Sequence, residues 1–431
     1  MEHAVSRSSL FSRVVRGGML LFALSLALSK SASNVSIALL CLYTLYASVR
    51  SRELRDAMRS HLAQPLLMPL LVYIGIALLG VLYTEHFQDG IGIVNKMAGM
   101  ALVYFVTAWL LDTAEDSCPT LTEEMLLAFI IGIIGLDFIA FFTYLGIIGH
   151  AKYVLPVWPL HVHHIWFANI NAVGFYAAGL LLLFSDSGKQ KRTRYLLMAF
   201  LPLCLLSLLL SLSRTAWLGM LVTIVALSYL LVRERKYFYL LLVGFAIMGL
   251  AAYGSNRIVH ERIDLISSDI MEFLKGHTRT NIGERFLMWR AAFKMFLSNP
   301  MFGVGTGDYV PTMTGYIQAG ELPQYFSLFN QPHNMYLFSL ATNGLLGLGA
   351  LLYLFGRVLS FSYRLVRIEG RERLYGCLGF AVMVHYLVGG FTDSFLNIQM
   401  LRYTFAFIIA LAIRSSLRRN ASQTSQPIVI H

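Results

Sequence analysis

Long apolar runs alternate with short polar hairpins along this chain, and the rhythm breaks only once. Twelve runs read as membrane-spanning helices: Gly17–Ser31, Val35–Ser48, Pro65–Tyr83, Ile93–Leu111, Glu124–Leu145, Trp166–Phe184, Tyr195–Leu212, Ala216–Val232, Tyr237–Tyr253, Asn334–Gly356, Leu374–Gly390 and Ile398–Ile413. Most approach about 20 residues, enough for a helix to cross about 30 Å of hydrocarbon. Barrel strands would instead alternate over about ten residues. The break is the polar interval 254–332. Within it Val259, Ile263, Ile266, Ile270 and Phe273 recur at helical spacing. A second helix, about Ile282 to Leu297, sets Phe286, Trp289, Phe293 and Phe296 on one side, and Ser298-Asn299-Pro300 stops it because proline cannot continue a helix. The chain thus divides into nine spans over 1–253, a loop with two amphipathic helices over 254–332, three spans over 333–416 and a tail over 417–431.

Composition turns this pattern into a class. Hydrophobic residues make up 57% of the chain, charged residues 13%, and the mean hydropathy is +0.64. Soluble domains carry about 25% charged residues, so the expectation is an all-α, polytopic membrane protein. The net charge of +11 is not gathered into a nucleic-acid-binding patch. Six short clusters between runs, such as Arg50, Arg52, Arg55 and Arg59, hold 22 of the 34 basic residues. That asymmetry places those segments and both termini in the cytoplasm and the long loop outside, although the acidic segment Asp112–Pro119 departs from the trend. Cys41, Cys118, Cys204 and Cys377 lie far apart with no CxxC spacing, so neither a disulfide framework nor a zinc site is indicated. The first run lacks a small-residue cleavage site and reads as an uncleaved span.

Ionisable residues at membrane depth or at the mouth of the bundle are costly and mark sites or buried pairs. They are Asp137, Arg214, His385, Arg402, His161, His163, His164 and His333. Arg214 stands in a very short hairpin, Ser211 to Trp217, either as a snorkelling anchor beside Trp217 or as a cation held for an anion. Arg285 and Trp289 are four residues apart and share a helix face, with Arg290 next to them. They suit either a charge-decorated amphipathic helix or a guanidinium fork for phosphate oxygens. His333 follows Pro332 and opens a helix, where the dipole favours a neutral ring available as a base; a structural role is the alternative. Asn334 either orients it or caps the helix. Gly303-Val304-Gly305-Thr306-Gly307-Asp308 matches neither a Walker A loop nor a dinucleotide fingerprint, and reads as a tight connection or a substrate contact. His161, His163 and His164 lack a carboxylate cluster and sit in an interfacial aromatic belt with Trp158 and Trp166. Asp137 is expected to pair with an arginine. No metal and no cofactor are indicated.

Taken in order, Gly283-Glu284-Arg285 with Trp289, Asn299-Pro300-Met301-Phe302-Gly303-Val304-Gly305, Pro332-His333-Asn334-Met335-Tyr336-Leu337 and Gly344-Leu345-Leu346-Gly347 resemble the signature of the O-antigen ligase/polymerase superfamily. The resemblance covers about Arg214 to Gly349, and the earlier spans fit only by number and hydropathy. It implies a GT-C-like glycosyltransferase of about 12 transmembrane helices in the Gram-negative inner membrane, with a helical loop and active site facing the periplasm. It also implies transfer of a glycan from undecaprenyl pyrophosphate to a sugar hydroxyl of the lipid A–core. Carried over by position, Arg214 and Arg285 hold the pyrophosphate and His333 is the base, with inversion and no metal. Arg290, Trp289, Asn334 and Asp137 are possible supports.

An O-antigen polymerase or a protein O-oligosaccharyltransferase would use the same donor, though the latter usually carries a larger C-terminal periplasmic part. A secondary transporter would also suit twelve spans, but related halves are not visible in this sequence.

Overall fold

Each expected run lies on a helix, and some of these helices extend ten or more residues beyond the run. The computed structural model describes residues 2–62, 64–114, 118, 120–148, 162–255 and 257–424. Its helices are α1 (Glu2–Leu28), α2 (Lys30–Arg50), α3 (Arg52–His61), α4 (Leu67–Val81), α5 (Phe87–Thr113), α6 (Leu121–Tyr144), α7 (His164–Phe184) and α8 (Lys191–Leu210). They continue as α9 (Arg214–Leu231), α10 (Arg235–Ser255), α11 (Arg257–Leu274), α12 (Asn281–Ser298), α13 (Tyr309–Gln318), α14 (Met335–Val366), α15 (Arg371–Gly389) and α16 (Gln399–Thr424). Ser29, Ser213 and Thr280 cap α2, α9 and α12 by accepting from the backbone N–H of Ala32, Ala216 and Gly283, the usual work of a hydroxyl at that position. Among the described residues eight helices are long and apolar enough to cross a membrane: α2, α5, α6, α7, α8, α9, α10 and α14. The other four expected runs fall on α1, α4, α15 and α16, and α4 is apolar but only 15 residues long.

The two loop helices expected from periodicity are α11 and α12. The short α3 and α13 were not expected, because ten residues hold too few turns for a period to stand out. α15 lies at the centre, packed against α14, α9, α7 and α16. Tyr386 on it is fully buried and donates to the Leu401 carbonyl at 2.7 Å, which fixes α15 to α16.

The glycine-rich segment plugs a break in α14. Gly344 there adopts φ +61°, interrupting the helix. The freed backbone groups find partners in residues 300–306: Leu345 N–H donates to Pro300 O at 2.8 Å, while Val304 and Gly305 N–H donate to Ala341 O and Thr342 O at 2.9 and 3.0 Å. Thr306 N–H reaches Gly80 O on α4 at 3.2 Å. Broken helices are tolerated in membranes where such partners exist. A Cβ at Gly344 would come within 2.4 Å of the Met301 carbonyl carbon, so only glycine fits this approach. The amides of this turn are therefore spent on the fold, which favours the tight-connection reading.

Charge gathers at the end of the bundle opposite His333. Arg371 opens α15 and donates to buried Glu123 at 2.9 Å; Ser185 donates to the same carboxylate at 2.5 Å. Arg16 bonds Glu124 through two nitrogens at 2.8 and 3.0 Å, and Arg414 bonds Asp112 at 2.5 Å.

Candidate active site

His333 occupies the bend just before α14, where Asn334 rather than His333 is the cap. Asn334 Oδ1 accepts from Tyr336 and Leu337 N–H, both at 3.0 Å, and its amide donates to Phe391 O at 3.3 Å. Asn334 thus holds the helix start to the α15–α16 loop, and the orienting of the imidazole falls to another residue. His333 itself takes φ +48°, a left-handed conformation that L residues adopt only when their surroundings enforce it. Trp289 contributes to that enforcement, because its indole N–H donates to Pro332 O at 3.0 Å.

The orienting residue is Asp393, which the sequence reading missed. Asp393 Oδ1 lies 3.2 Å from His333 Nδ1 and also accepts from Gln331 Nε2 at 3.3 Å and Ser394 N–H at 2.8 Å. A carboxylate oxygen receiving those donors is an acceptor, so Nδ1 faces it with a hydrogen and Nε2 is the ring nitrogen turned away from the pair. Asp393 is buried and His333 partly open, with side-chain exposures of 3% and 28%. The imidazole at the helix start is thus oriented by a carboxylate. The available signal was a lone acid, Thr392-Asp393-Ser394, between the last two apolar runs.

One of the two arginines meets the same loop directly. Arg285, half-buried on α12, donates through Nη1 to Thr392 O at 2.7 Å. Thr392 Oγ1 donates to Thr215 Oγ1 at 2.8 Å, joining the loop to the residue after Arg214. Burial lowers the pKa of the Arg285 guanidinium, the carboxylate of Asp393 raises it, and the charge of Arg214 lowers it again. Arg214, Arg285, Asp393 and His333 therefore share one electrostatic neighbourhood. Arg214 is fixed by its hairpin: Ser213 caps α9, Leu212 turns at φ +54°, and the Trp217 indole N–H reaches back to Leu208 O at 2.8 Å. Arg290 is exposed, whereas Arg285 and Trp289 are half-buried, the one on Thr392 and the other on Pro332.

The remaining candidates serve elsewhere. Asp137, buried in α6, accepts from Asn171 Nδ2 of α7 at 3.0 Å, so its partner is a neutral amide and not the expected arginine. His385 has both ring nitrogens engaged, by Tyr176 OH at 2.9 Å and Asn169 Oδ1 at 2.8 Å, and so acts as a link between α15 and α7. Arg402 donates to Leu396 O at 2.8 Å. His161 lies outside the described residues. Among the described residues no group of three His, Cys, Asp or Glu side chains is placed to hold a metal ion.

This architecture defines a multi-pass helical membrane protein with a basic and imidazole-bearing site at one end of its bundle. Residues 196–352 match the family described as O-antigen ligase, a likeness over that stretch that supports a place in the O-antigen ligase/polymerase family. The matched stretch runs from α8 through the first half of α14 and includes Arg214, Arg285 and His333, while Asp393 lies beyond it. No curated protein matches the chain.

Proposed function

We propose that this protein is an O-antigen ligase that moves a glycan from undecaprenyl pyrophosphate to a sugar hydroxyl of the lipid A–core on the periplasmic face of the inner membrane. One observation carries the reading: a His–Asp pair, with its imidazole Nε2 unengaged by the pair, stands beside two arginines at the same end of the bundle. In the proposed step the acceptor oxygen attacks the anomeric carbon, the bond from that carbon to the phosphate oxygen breaks, and the hydroxyl proton passes to His333 Nε2. Asp393 stabilises the imidazolium. Arg214 and Arg285 balance the charge growing on the departing pyrophosphate, which preorganised donors do at little reorganisation cost. Energy comes from the donor linkage, because the periplasm offers no ATP. Direct displacement inverts the anomeric centre. In this reading about twelve helices span the membrane in a GT-C-like arrangement, both termini are cytoplasmic, and the cation-rich end of the bundle faces the cytoplasm.

A polymerase would use the same donor with a second lipid-linked glycan as acceptor. A strain lacking the gene separates the two. Polymerised lipid-linked O-antigen accumulating beside lipopolysaccharide that lacks it supports the ligase. Single-repeat chains would point to the polymerase, and unchanged lipopolysaccharide would remove both. Activity is expected to persist in EDTA; loss restored by Mg²⁺ would contradict the metal-free mechanism. The transporter alternative is the less favoured. The break in α14 is filled by the 300–306 turn, whereas transporters use unwound backbone of this kind to coordinate cargo.

A further inference from the structure

A second cluster sits at the His333 end of the bundle, outside the contacts described above. Lys30, the first residue of α2, holds its ammonium 4.2 Å from the centroid of the Trp166 ring. His163 lies 5.8 Å from Trp166 and 4.2 Å from His164, ring centroid to ring centroid. Gln399, at the start of α16, locks this corner by donating to Lys30 O at 3.2 Å and Asn34 Oδ1 at 2.7 Å. His163 is exposed, and Lys30, His164 and Trp166 are half-buried. Among the described residues no carboxylate pairs with Lys30, whose ammonium rests on an aromatic face. A half-buried cation so placed attracts an anion, and the flanking rings offer flat surfaces to the C–H faces of a sugar.

The position of the cluster selects its ligand. Asp393 acts electrostatically on both Arg285 and His163; Arg214 acts on Arg285, and His333 acts on His163. Gln399, which holds Lys30, follows Asp393 by six residues at the start of α16, so the cluster stands at the same end of the bundle as the His333–Asp393 pair. In the transfer reading the arginines take the donor pyrophosphate, which leaves the far side of His333 to the acceptor.

We propose that Lys30, Trp166 and His163 form a subsite for an anionic sugar of the acceptor, phosphorylated or carboxylated, next to the hydroxyl that His333 activates. The assignment rests on the glycosyl-transfer reading. Its test is steady-state transfer by the full-length protein in detergent, using a lipid-linked glycan donor and lipid A–core acceptor, for wild type, Lys30→Met and Trp166→Leu. Each variant is expected to raise the acceptor KM roughly tenfold, the scale of one desolvated cation–aromatic site, with the donor KM and kcat held. With an acceptor stripped of phosphate and reduced at its carboxyls, wild type should fall to the Lys30→Met level and Lys30→Met should lose nothing more. Trp166→Phe should restore most of the affinity lost in Trp166→Leu. An unchanged acceptor KM in both variants, a rise in donor KM instead, or a fall in kcat alone would overturn the subsite while leaving the transfer reading intact. A wild-type protein that transfers no glycan to lipid A–core would overturn both.

Discussion

At the residue scale, His333 draws on distant parts of the chain: α12 through Trp289, the α15–α16 loop through Asp393, and its own strained turn. Replacing a general base costs about 10²–10⁴-fold, and His333→Ala is expected to lose kcat in that range. Asp393→Asn keeps the shape but lets the ring take the wrong tautomer, so kcat should fall substantially while donor KM changes little. Removing a preorganised charge donor costs roughly 10²–10³-fold, which is the loss expected for Arg285→Ala. Arg285→Lys should recover only part of it, because an ammonium does not reproduce the guanidinium fork. Arg290→Ala, at an exposed position, should remain near wild type. Initial rates with a labelled donor check all five. Motif order and the charge asymmetry already grouped His333 with Arg214 and Arg285 in the sequence. Asp393 was not legible there, since a single acid in a hairpin carries no period or spacing, and only folding brings it to residue 333.

At the element scale, the 300–306 turn and the break in α14 depend on each other. Gly344→Ala places a Cβ against Met301 in a left-handed backbone, and such strain costs about 1–3 kcal/mol before any clash. It should lower the thermal midpoint in detergent clearly, whereas Gly349→Ala, which meets nothing within 4 Å, should not. Asp308 anchors the far end of the turn. Its burial alone would raise the carboxyl pKa, but hydrogen bonds from Thr84, the His86 ring and the N–H groups of Glu85 and His86 outweigh burial and lower it. A lowered folded-state pKa means that this stabilisation is fully present above the unfolded value of about 3.9. It is lost as pH falls through the folded value. Acid unfolding should therefore be less steep in Asp308→Asn than in wild type, as followed by tryptophan fluorescence. The glycine spacing marked a turn in the sequence; that the turn would enter the bundle and replace helical hydrogen bonds was not visible, because its partners are residues 80 and 341–346.

At the scale of the whole molecule, ion pairs lock one end of the bundle and polar contacts build a site at the other. Arg371→Ala would leave Glu123, whose side chain is 1% exposed, without its cation. Removing one partner of a fully buried pair costs about 3–5 kcal/mol; because Arg371 keeps 34% exposure, the expected loss is smaller, and a thermal scan measures it. Topology is checked by single-cysteine labelling in intact cells: an impermeant maleimide should reach a cysteine at Lys275 once the outer membrane is permeabilised and fail to reach one at Lys189. Helical class and the polar interval were readable from hydropathy alone. The lengths of individual spans were less so, since capping residues and the continuation of α14 to Val366 depend on tertiary packing. The central claim is that His333 takes the acceptor proton in glycan transfer. Its most direct measurement is the single-turnover rate of transfer from a lipid-linked glycan to lipid A–core by purified wild type and His333→Ala. The account predicts product from wild type and a rate about 10²–10⁴-fold lower in the variant; equal rates would contradict it.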